Sequence, residues 1–428
     1  RTISSGIDNP PFTKANLQKN VEAERRIRMQ RNAQWEKRRE QIDQNFQLLH
    51  KILNRPISRF EKTIVDFCFA LYFQLIGNRI KIKVDHDAAR MARDTFCKYF
   101  PDTVEEMLRE LLRDPEGYIQ KVEEYESVCP PPMIDFGTET KTFKLIMNDP
   151  ARQMEETRTE HALLSSIISC NGNPYYALDI GTGNGRLARV MENSIRYVNG
   201  NQNGYRVFGV DILEKNIEDA NTLNKKTGAS IVFTKGDMNR LLFPSDVFAL
   251  VNSASASYLN PKHRRPFDIA EMARVLSSDY GRATVTNPTE NFSLKEYSYM
   301  MMRSNRETYL NPMNIVQVMF LGQCGAQIED LMKARPEMQV TTTNDMMNML
   351  KRTLRAEIVD VGNWPLEGGP PLFWGFTFSV NGKTKESLGK YIDVREKQRK
   401  NEDWIPLDRV KAATVKEYPH TPALRIVS

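Results

Sequence analysis

Cysteine, histidine and tryptophan are scarce in this chain of 428 residues, which holds five, five and four of them. Cys68, Cys97, Cys129, Cys170 and Cys324 are odd in number, widely scattered and never spaced as Cys-x-x-Cys, which argues against a disulfide framework and a cysteine-based zinc site. No metal is expected, and the thiols fit a reducing intracellular compartment. Long apolar runs are lacking too. The nearest approach to the roughly 18 residues of a membrane span, Ile64 to Ile76, is shorter and contains Asp66. There is no internal repeat and no low-complexity tract. What is present, 40% hydrophobic, 9% aromatic and 27% charged residues, supplies a core under a polar surface and excludes a wholly disordered chain. At roughly 100 to 200 residues per domain, the length allows two or three units.

The formal charge of +6 is unevenly spread: residues 1–50 and 383–428 each carry an excess of four positive charges, and the interior is slightly negative. Basic ends on a near-neutral body suggest that the ends face an anionic or acidic partner, RNA or a protein complex; ordinary solvated charge is the competing reading. The chain begins at Arg1 and not at Met, consistent with a removed targeting segment and a mitochondrial matrix location, and equally with trimming.

Helix formers dominate residues 17–49, where Arg25, Arg26, Arg28, Arg31, Lys37, Arg38 and Arg39 alternate with Glu22, Glu24, Glu36 and Glu40. With so few apolar residues, this segment (arm, 1–44) is expected to bury no face well and to be an exposed or partner-docked helix. Residues 45–132 read as an all-helical unit. In it Phe60, Ile64, Phe67, Cys68, Leu71 and Leu75 recur at helical spacing, helices follow over 88–99 and 103–113, and Asp102-Thr103-Val104-Glu105-Glu106 offers capping chemistry. Pro130-Pro131-Pro132 marks its end.

From Tyr175 the pattern changes. Short apolar runs at 176–180, 205–210, 230–233, 247–251 and 282–286 alternate with helical segments at 187–197, 214–224 and 266–276, which predicts an α/β fold with a parallel sheet covered on both faces. A largely helical segment rich in Met and Tyr occupies 290–354, strands are expected at 357–361 and 373–380, and a polar, basic, poorly periodic tail at 383–428.

The sharpest feature is Tyr175-Tyr176-Ala177-Leu178-Asp179-Ile180-Gly181-Thr182-Gly183-Asn184-Gly185-Arg186-Leu187, a buried strand ending in an acid, then three alternate glycines and a helix. Glycine lets the backbone turn tightly and approach a ligand, and the helix start adds free amides. Dinucleotide-binding loops use Gly-x-Gly-x-x-Gly; this spacing is Gly-x-Gly-x-Gly. A second acid, Asp211, ends the next strand, where a carboxylate can accept bonds from two hydroxyls. The loop resembles motif I of the class I S-adenosylmethionine-dependent methyltransferases.

Three further landmarks fall in the order of that family: Asp211, the strand ending in Lys235-Gly236-Asp237-Met238, and the pair formed by Phe243–Val251 and Ile269–Leu276. The resemblance covers about half of the chain. It implies a Rossmann-like sheet over 133–382, preceded by the helical region, and S-adenosyl-L-methionine as cofactor. The cofactor residues would be Asp179, Gly181, Thr182, Gly183, Gly185, Asp211, Ile212, Asp237 and Met238, with Asp211 at the ribose hydroxyls, Asp237 at the adenine amino group and Met238 at its ring. A solvated strand-end acid is the plainer reading of Asp211.

The stretch after the fourth strand, Asn252-Ser253-Ala254-Ser255-Ala256-Ser257-Tyr258-Leu259, lacks the Asn/Asp-Pro-Pro-aromatic signature of amide and adenine methylases, which argues against those acceptors. If a base acts, Tyr258 is the catalytic candidate and His263 the next; the plainer readings are a ring packed under the cofactor and, beside Lys262, Arg264 and Arg265, a surface histidine. The position of the 290–354 insertion resembles the acceptor cap of ubiquinone-biosynthesis methyltransferases, with Tyr297, Tyr299, Met300, Met301 and Met302 lining a pocket for a small organic acceptor or simply forming core. A methyltransferase-like subunit with an RNA-modifying or structural role in a mitochondrial or ribonucleoprotein assembly is the alternative function.

Overall fold

The computed structural model describes residues 14–75, 86–130, 150–170, 175–199, 205–293, 296–297, 299–300, 335–364 and 371–399. Seven strands form one sheet: β1 (Tyr175–Ile180), β2 (Tyr205–Asp211), β3 (Val232–Lys235), β4 (Leu250–Ala254), β5 (Arg282–Pro288), β6 (Glu357–Trp364) and β7 (Phe373–Ser379). Their order is β3-β2-β1-β4-β5-β7-β6. The first five are parallel, and β7 runs antiparallel to both β5 and β6. This is the Rossmann-like methyltransferase arrangement, as expected. The order reverses between β1 and β4, so their carboxyl ends open a crevice at the switch point.

Twelve helices are described: α1 (Lys14–Leu53), α2 (Arg59–Leu75), α3 (His86–Tyr99), α4 (Val104–Arg113), α5 (Pro115–Val128), α6 (Pro150–Cys170), α7 (Arg186–Asn199), α8 (Glu214–Thr227), α9 (Arg265–Val275), α10 (Thr343–Asn348), α11 (Gly382–Ser387) and α12 (Gly389–Arg399). Among the described residues no helix is long and apolar enough to cross a membrane. The α4 cap forms as anticipated, with Thr103 Oγ1 accepting from the Glu106 amide.

Two strands start later than their apolar runs. The amides of Val247 and Phe248 donate to the Val275 carbonyl at the free end of α9, so the ladder of β4 begins only at Leu250. Ser230 is held by Glu192, which accepts from its amide at 2.7 Å and from its hydroxyl at 2.8 Å, and β3 starts at Val232.

The second half of α1 is not a bare arm. Trp35, Ile42, Leu49 and Leu53 are buried at spacings of seven and four, a narrow seam sufficient against another helix, here α6; Trp35 and Ile42 meet Leu164, and Leu49 and Leu53 cluster with Met154. Arg38 donates to Glu160 at 2.5 Å across the same seam. In α2 the anticipated apolar stripe fails at two positions: Phe60 and Phe67 are 59% and 65% exposed, while Val65 and Glu61 turn inward. Glu61 is drawn in by Arg55 at 2.8 Å and by the Ser58 amide at 2.8 Å. The side chains of Cys68, Leu71 and Leu75 lie outside the described residues.

Helices α3 to α5 share a core with the sheet, in which Phe96, Phe100, Met107, Leu108, Tyr118 and Tyr125 pack with Val251, Val285 and Phe376. His263 belongs to that core and not to the surface. Its ring stacks on Phe100 at 5.2 Å, and Glu126 bonds His263 Nε2 at 2.8 Å while also accepting from Arg264. Arg265 is buried too, with its guanidinium spent on the carbonyls of Asn260, Tyr258 and Gln339.

The basic segment after 382, expected to be aperiodic, folds into α11 and α12 as far as Arg399; residues 400–428 lie outside the described ones. Lys385 Nζ donates to the carbonyls of Ala273, Arg274 and Leu276 at the end of α9. The fully buried Glu271 accepts from Arg274, Leu241 N, Tyr391 and Arg395. Burial alone would raise the Glu271 carboxyl, but the Arg274 and Arg395 guanidiniums hold it below its ordinary range. Its stabilisation is therefore present above the unfolded pKa, near 4.5, and is lost as pH falls through the lower folded value. Glu271→Ala removes the carboxylate that two buried guanidiniums share and is expected to lower stability by about 3–5 kcal/mol, measured as a shift in urea midpoint at pH 7 that shrinks under acid.

Candidate active site

Strand β1 delivers its chain directly into the switch-point crevice. Gly181, Gly183 and Gly185 have φ of +65°, +55° and +81°, a left-handed backbone that strains any other residue. The three differ in what surrounds them. A Cβ on Gly181 would overlap the Ala256 Cβ, and one on Gly185 would overlap the Phe233 ring, whereas one on Gly183 would meet nothing within 4 Å. Gly181 and Gly185 are thus demanded by the protein's own packing, and Gly183 faces open space.

Two carboxylates flank that opening. Asp179 is buried, and its oxygens accept from Thr182 Oγ1 at 2.7 Å and from Asn252 Nδ2 at 2.7 Å. Burial dominates these bonds and pushes its pKa up to about 6. Asp211, at the end of β2, accepts from the Gly183 amide at 2.9 Å, the Leu213 amide at 3.0 Å and Asn216 Nδ2 at 3.1 Å. It ties the middle of the glycine loop to the neighbouring strand. Beside it Ile212 is 48% exposed.

The third expected strand end joins the same site. The Gly236 amide donates to the Asp211 carbonyl at 2.9 Å, and Asp237 Oδ1 accepts from the Asn239 amide and Nδ2 at 2.9 and 2.6 Å. The Met238 Cε lies 3.7 Å from where a Gly181 Cβ would stand. Asp179, Gly181, Thr182, Gly183, Gly185, Asp211, Ile212, Asp237 and Met238 are therefore brought together at or just past the ends of β1, β2 and β3. Tyr258 lies in a single turn of 3-10 helix, Ser257–Leu259, just after β4. Burial pushes its hydroxyl up to about 12, so the phenol is neutral at pH 7 and ill suited to take a proton.

Sequence reasoning missed a charged cluster on α6. Buried Glu155 accepts from Arg152 at 2.7 and 2.9 Å, Arg186 at 2.6 Å and Ser255 Oγ at 2.7 Å. Arg186 immediately follows Gly185 and also pairs with Glu156 at 2.7 Å. The signal was hard to see, because α6 buries Glu155, Arg158, Thr159 and Glu160 alongside Met154, Leu163 and Leu164 and so shows no clean apolar stripe. Tyr297, Tyr299 and Met300 are buried with Leu49, Val65, Trp364 and Phe373, and the Tyr299 hydroxyl donates to Asp66 at 2.5 Å; this is core packing. Met301 and Met302 lie outside the described residues. No metal-holding group of His, Cys, Asp or Glu occurs among the described residues.

Residues 177–279 match a family described as a methyltransferase domain. The chain carries a methyltransferase domain. The matched span runs from β1 to the start of the turn before β5 and takes in every one of the nine crevice residues. No curated protein matches the chain. Among solved structures it is similar to an S-adenosylmethionine-dependent methyltransferase from Aquifex aeolicus (14% identity, TM-score 0.35, covering 56% of this chain and 98% of that one). It is also similar to one from Clostridium acetobutylicum (9% identity, TM-score 0.37, covering 56% and 98%).

The raised Asp179 gives this domain a pH signature. The folded state keeps a proton that the unfolded chain, with an ordinary pKa of 3.8, has released, so ionising Asp179 costs stability as pH climbs from about 4 to about 6. Asp179→Asn removes that cost. In thermal unfolding, the variant is expected to gain on wild type by on the order of 1–3 kcal/mol between pH 4.5 and 7; parallel pH profiles for the two proteins would rule this out.

Proposed function

We propose that this protein is an S-adenosylmethionine-dependent methyltransferase that acts on a small organic acceptor. The observation that carries the cofactor assignment is the open face of Gly183, a left-handed glycine whose missing side chain leaves a cradle between Asp179 and Asp211. The groups around that cradle fit the cofactor. Asp211 already accepts three bonds, and because a carboxylate has about four acceptor positions it keeps room for one ribose hydroxyl, on Oδ2, without giving up a bond. Exposed Ile212 and half-buried Met238 offer apolar surface to an adenine ring, and Asp237 stands just past the strand end where its amino group would be read. Asp179, largely protonated below pH 6, ionises more readily beside a cation, so it favours the positive methionyl end.

When bound, the cofactor supplies a methyl carbon on a sulfonium, open to in-line displacement. The chain's part is then mainly positioning, which needs no side-chain base, in keeping with the neutral phenol of Tyr258. The turn at Ser255–Tyr258 is the acceptor side of the crevice. It is overhung by α6 through Glu155, and Tyr258 is only partly exposed, a confined setting suited to a small molecule. Asn252 is already occupied by Asp179 and Thr159, which agrees with an acceptor other than an adenine or amide nitrogen.

The finer kinship with ubiquinone-type enzymes rests on the place of the 290–354 insertion between β5 and β6. An RNA-modifying or structural role in a mitochondrial or ribonucleoprotein assembly gains less support. Arg38, Lys385 and Arg395 point inward to carboxylates and carbonyls, and the exposed Lys37 and Arg39 of α1 alternate with exposed Glu36 and Glu40, so these described residues form no continuous track for phosphates.

Calorimetric titration with S-adenosylmethionine tests the proposal. Wild type is expected to bind, and Asp211→Ala to bind at least about tenfold more weakly through loss of charge-assisted bonds. Absence of binding by wild type would defeat it. Transfer of a tritiated methyl group to a small-molecule extract and not to RNA would support the acceptor class; transfer to RNA alone would reverse that choice.

A further inference from the structure

Ser255 is one of three described residues other than glycine with positive φ, at +53°. An L-residue held there costs on the order of 1 kcal/mol relative to ordinary backbone and persists only where its surroundings impose it. Two bonds do so. The Ser255 amide donates to the Thr286 carbonyl on β5 at 2.6 Å, and its hydroxyl donates to Glu155 Oε1 at 2.7 Å. The reversal carries the next residue, Ala256, to the spot where its Cβ fills the space left by the missing side chain of Gly181.

Glu155 is anchored independently of this turn. Its burial would raise the carboxyl, yet Arg152 and Arg186 outweigh that and keep it ionised. Arg186 begins α7 directly behind the glycine loop. One carboxylate from α6 therefore touches both walls of the crevice, the cofactor loop through Arg186 and the acceptor turn through Ser255.

We infer that Glu155 is a positioning residue for methyl transfer, whose hydrogen bond to Ser255 holds the left-handed turn after β4 against Gly181. This rests on the methyltransferase reading above, since it assigns Glu155 to the same crevice. The bond does for Ser255 what glycine would do by conformational freedom alone.

Two substitutions at one position separate this role from a general packing role. Ser255→Ala removes the hydroxyl and keeps the strain, so the turn loses its restraint; Ser255→Gly removes both hydroxyl and strain. Titrated with S-adenosylhomocysteine, Ser255→Ala is expected to bind about fivefold more weakly than wild type, the loss typical of one hydrogen bond, and Ser255→Gly to recover most of that loss. Glu155→Gln is expected to weaken binding about as much, with recovery on adding Ser255→Gly; should Glu155→Gln not fold, judged by circular dichroism, the Ser255 pair still decides. Equal affinities for Ser255→Ala and Ser255→Gly, or wild-type affinity in Ser255→Ala, would overturn the positioning role while leaving the cofactor assignment standing. A wild-type protein that binds no S-adenosylhomocysteine would instead remove the methyltransferase reading and this inference with it.

Discussion

The close approach of Gly181 to Ala256 is the contact on which the crevice depends. It brings the chain leaving β1 against the chain leaving β4, the two strands between which the sheet order reverses. At any other pair of neighbouring parallel strands, the following helices cross to the same side and close the gap; at this pair they diverge. The fold opens the gap and the two backbones narrow it. Neither side can yield cheaply, since residue 181 has φ of +65° and no Cβ, and residue 256 follows a left-handed serine. The ends of β2 and β3 then add Asp211 and Asp237 to a mouth whose width is already set.

Buried charge does the fastening around that mouth. Carboxylates and guanidiniums are costly to bury unless paired and hydrogen-bonded, and Glu155 and Glu271 each gather several donors from distant parts of the chain. Glu271 joins α9 to α12, and Glu155 joins α6 to the loop after β1 and the turn after β4. Arg158 shows the steric side of the same device. It is 3% exposed, pairs with Asp360 at 2.6 Å, and lies over Gly362 and Gly375, which face each other on β6 and β7. A Cβ on either glycine would collide with the guanidinium, so two small residues on paired strands make the trough that the arginine fills.

What could be read from the sequence follows from how local its cause is. The glycine loop, the strand-end acids and the alternation of strands and helices are written in neighbouring residues, and each appears where expected. Strand starts at 232 and 250 were displaced because Glu192 and Val275, far away in the chain, capture the preceding backbone groups. The stripe on α2 rotated because Arg55 and Ser58 favour an inward Glu61 over an inward Phe60. Helix α6 was the largest omission, and its residues explain it: a helix that buries Glu155, Arg158 and Glu160 has no apolar periodicity to detect, since its partners are supplied by Arg186, Ser255, Asp360 and Arg38.

The same reasoning alters what the positive charge means. A sequence count places the excess at the two ends, and a count cannot tell a solvated lysine from one that caps a helix. Lys385 spends its ammonium on three carbonyls at the end of α9, where the helix leaves them unpaired and its dipole favours a cation. Arg395 reaches Glu271 and Arg38 reaches Glu160, each closing an α-helix onto the body. These cations act as internal ties between chain ends and the sheet-bearing body, and that role requires no anionic partner. The parts of the molecule most basic in sequence are thus in part those that hold the crevice from behind, since α1 braces α6, and α6 carries the carboxylate that touches both of its walls.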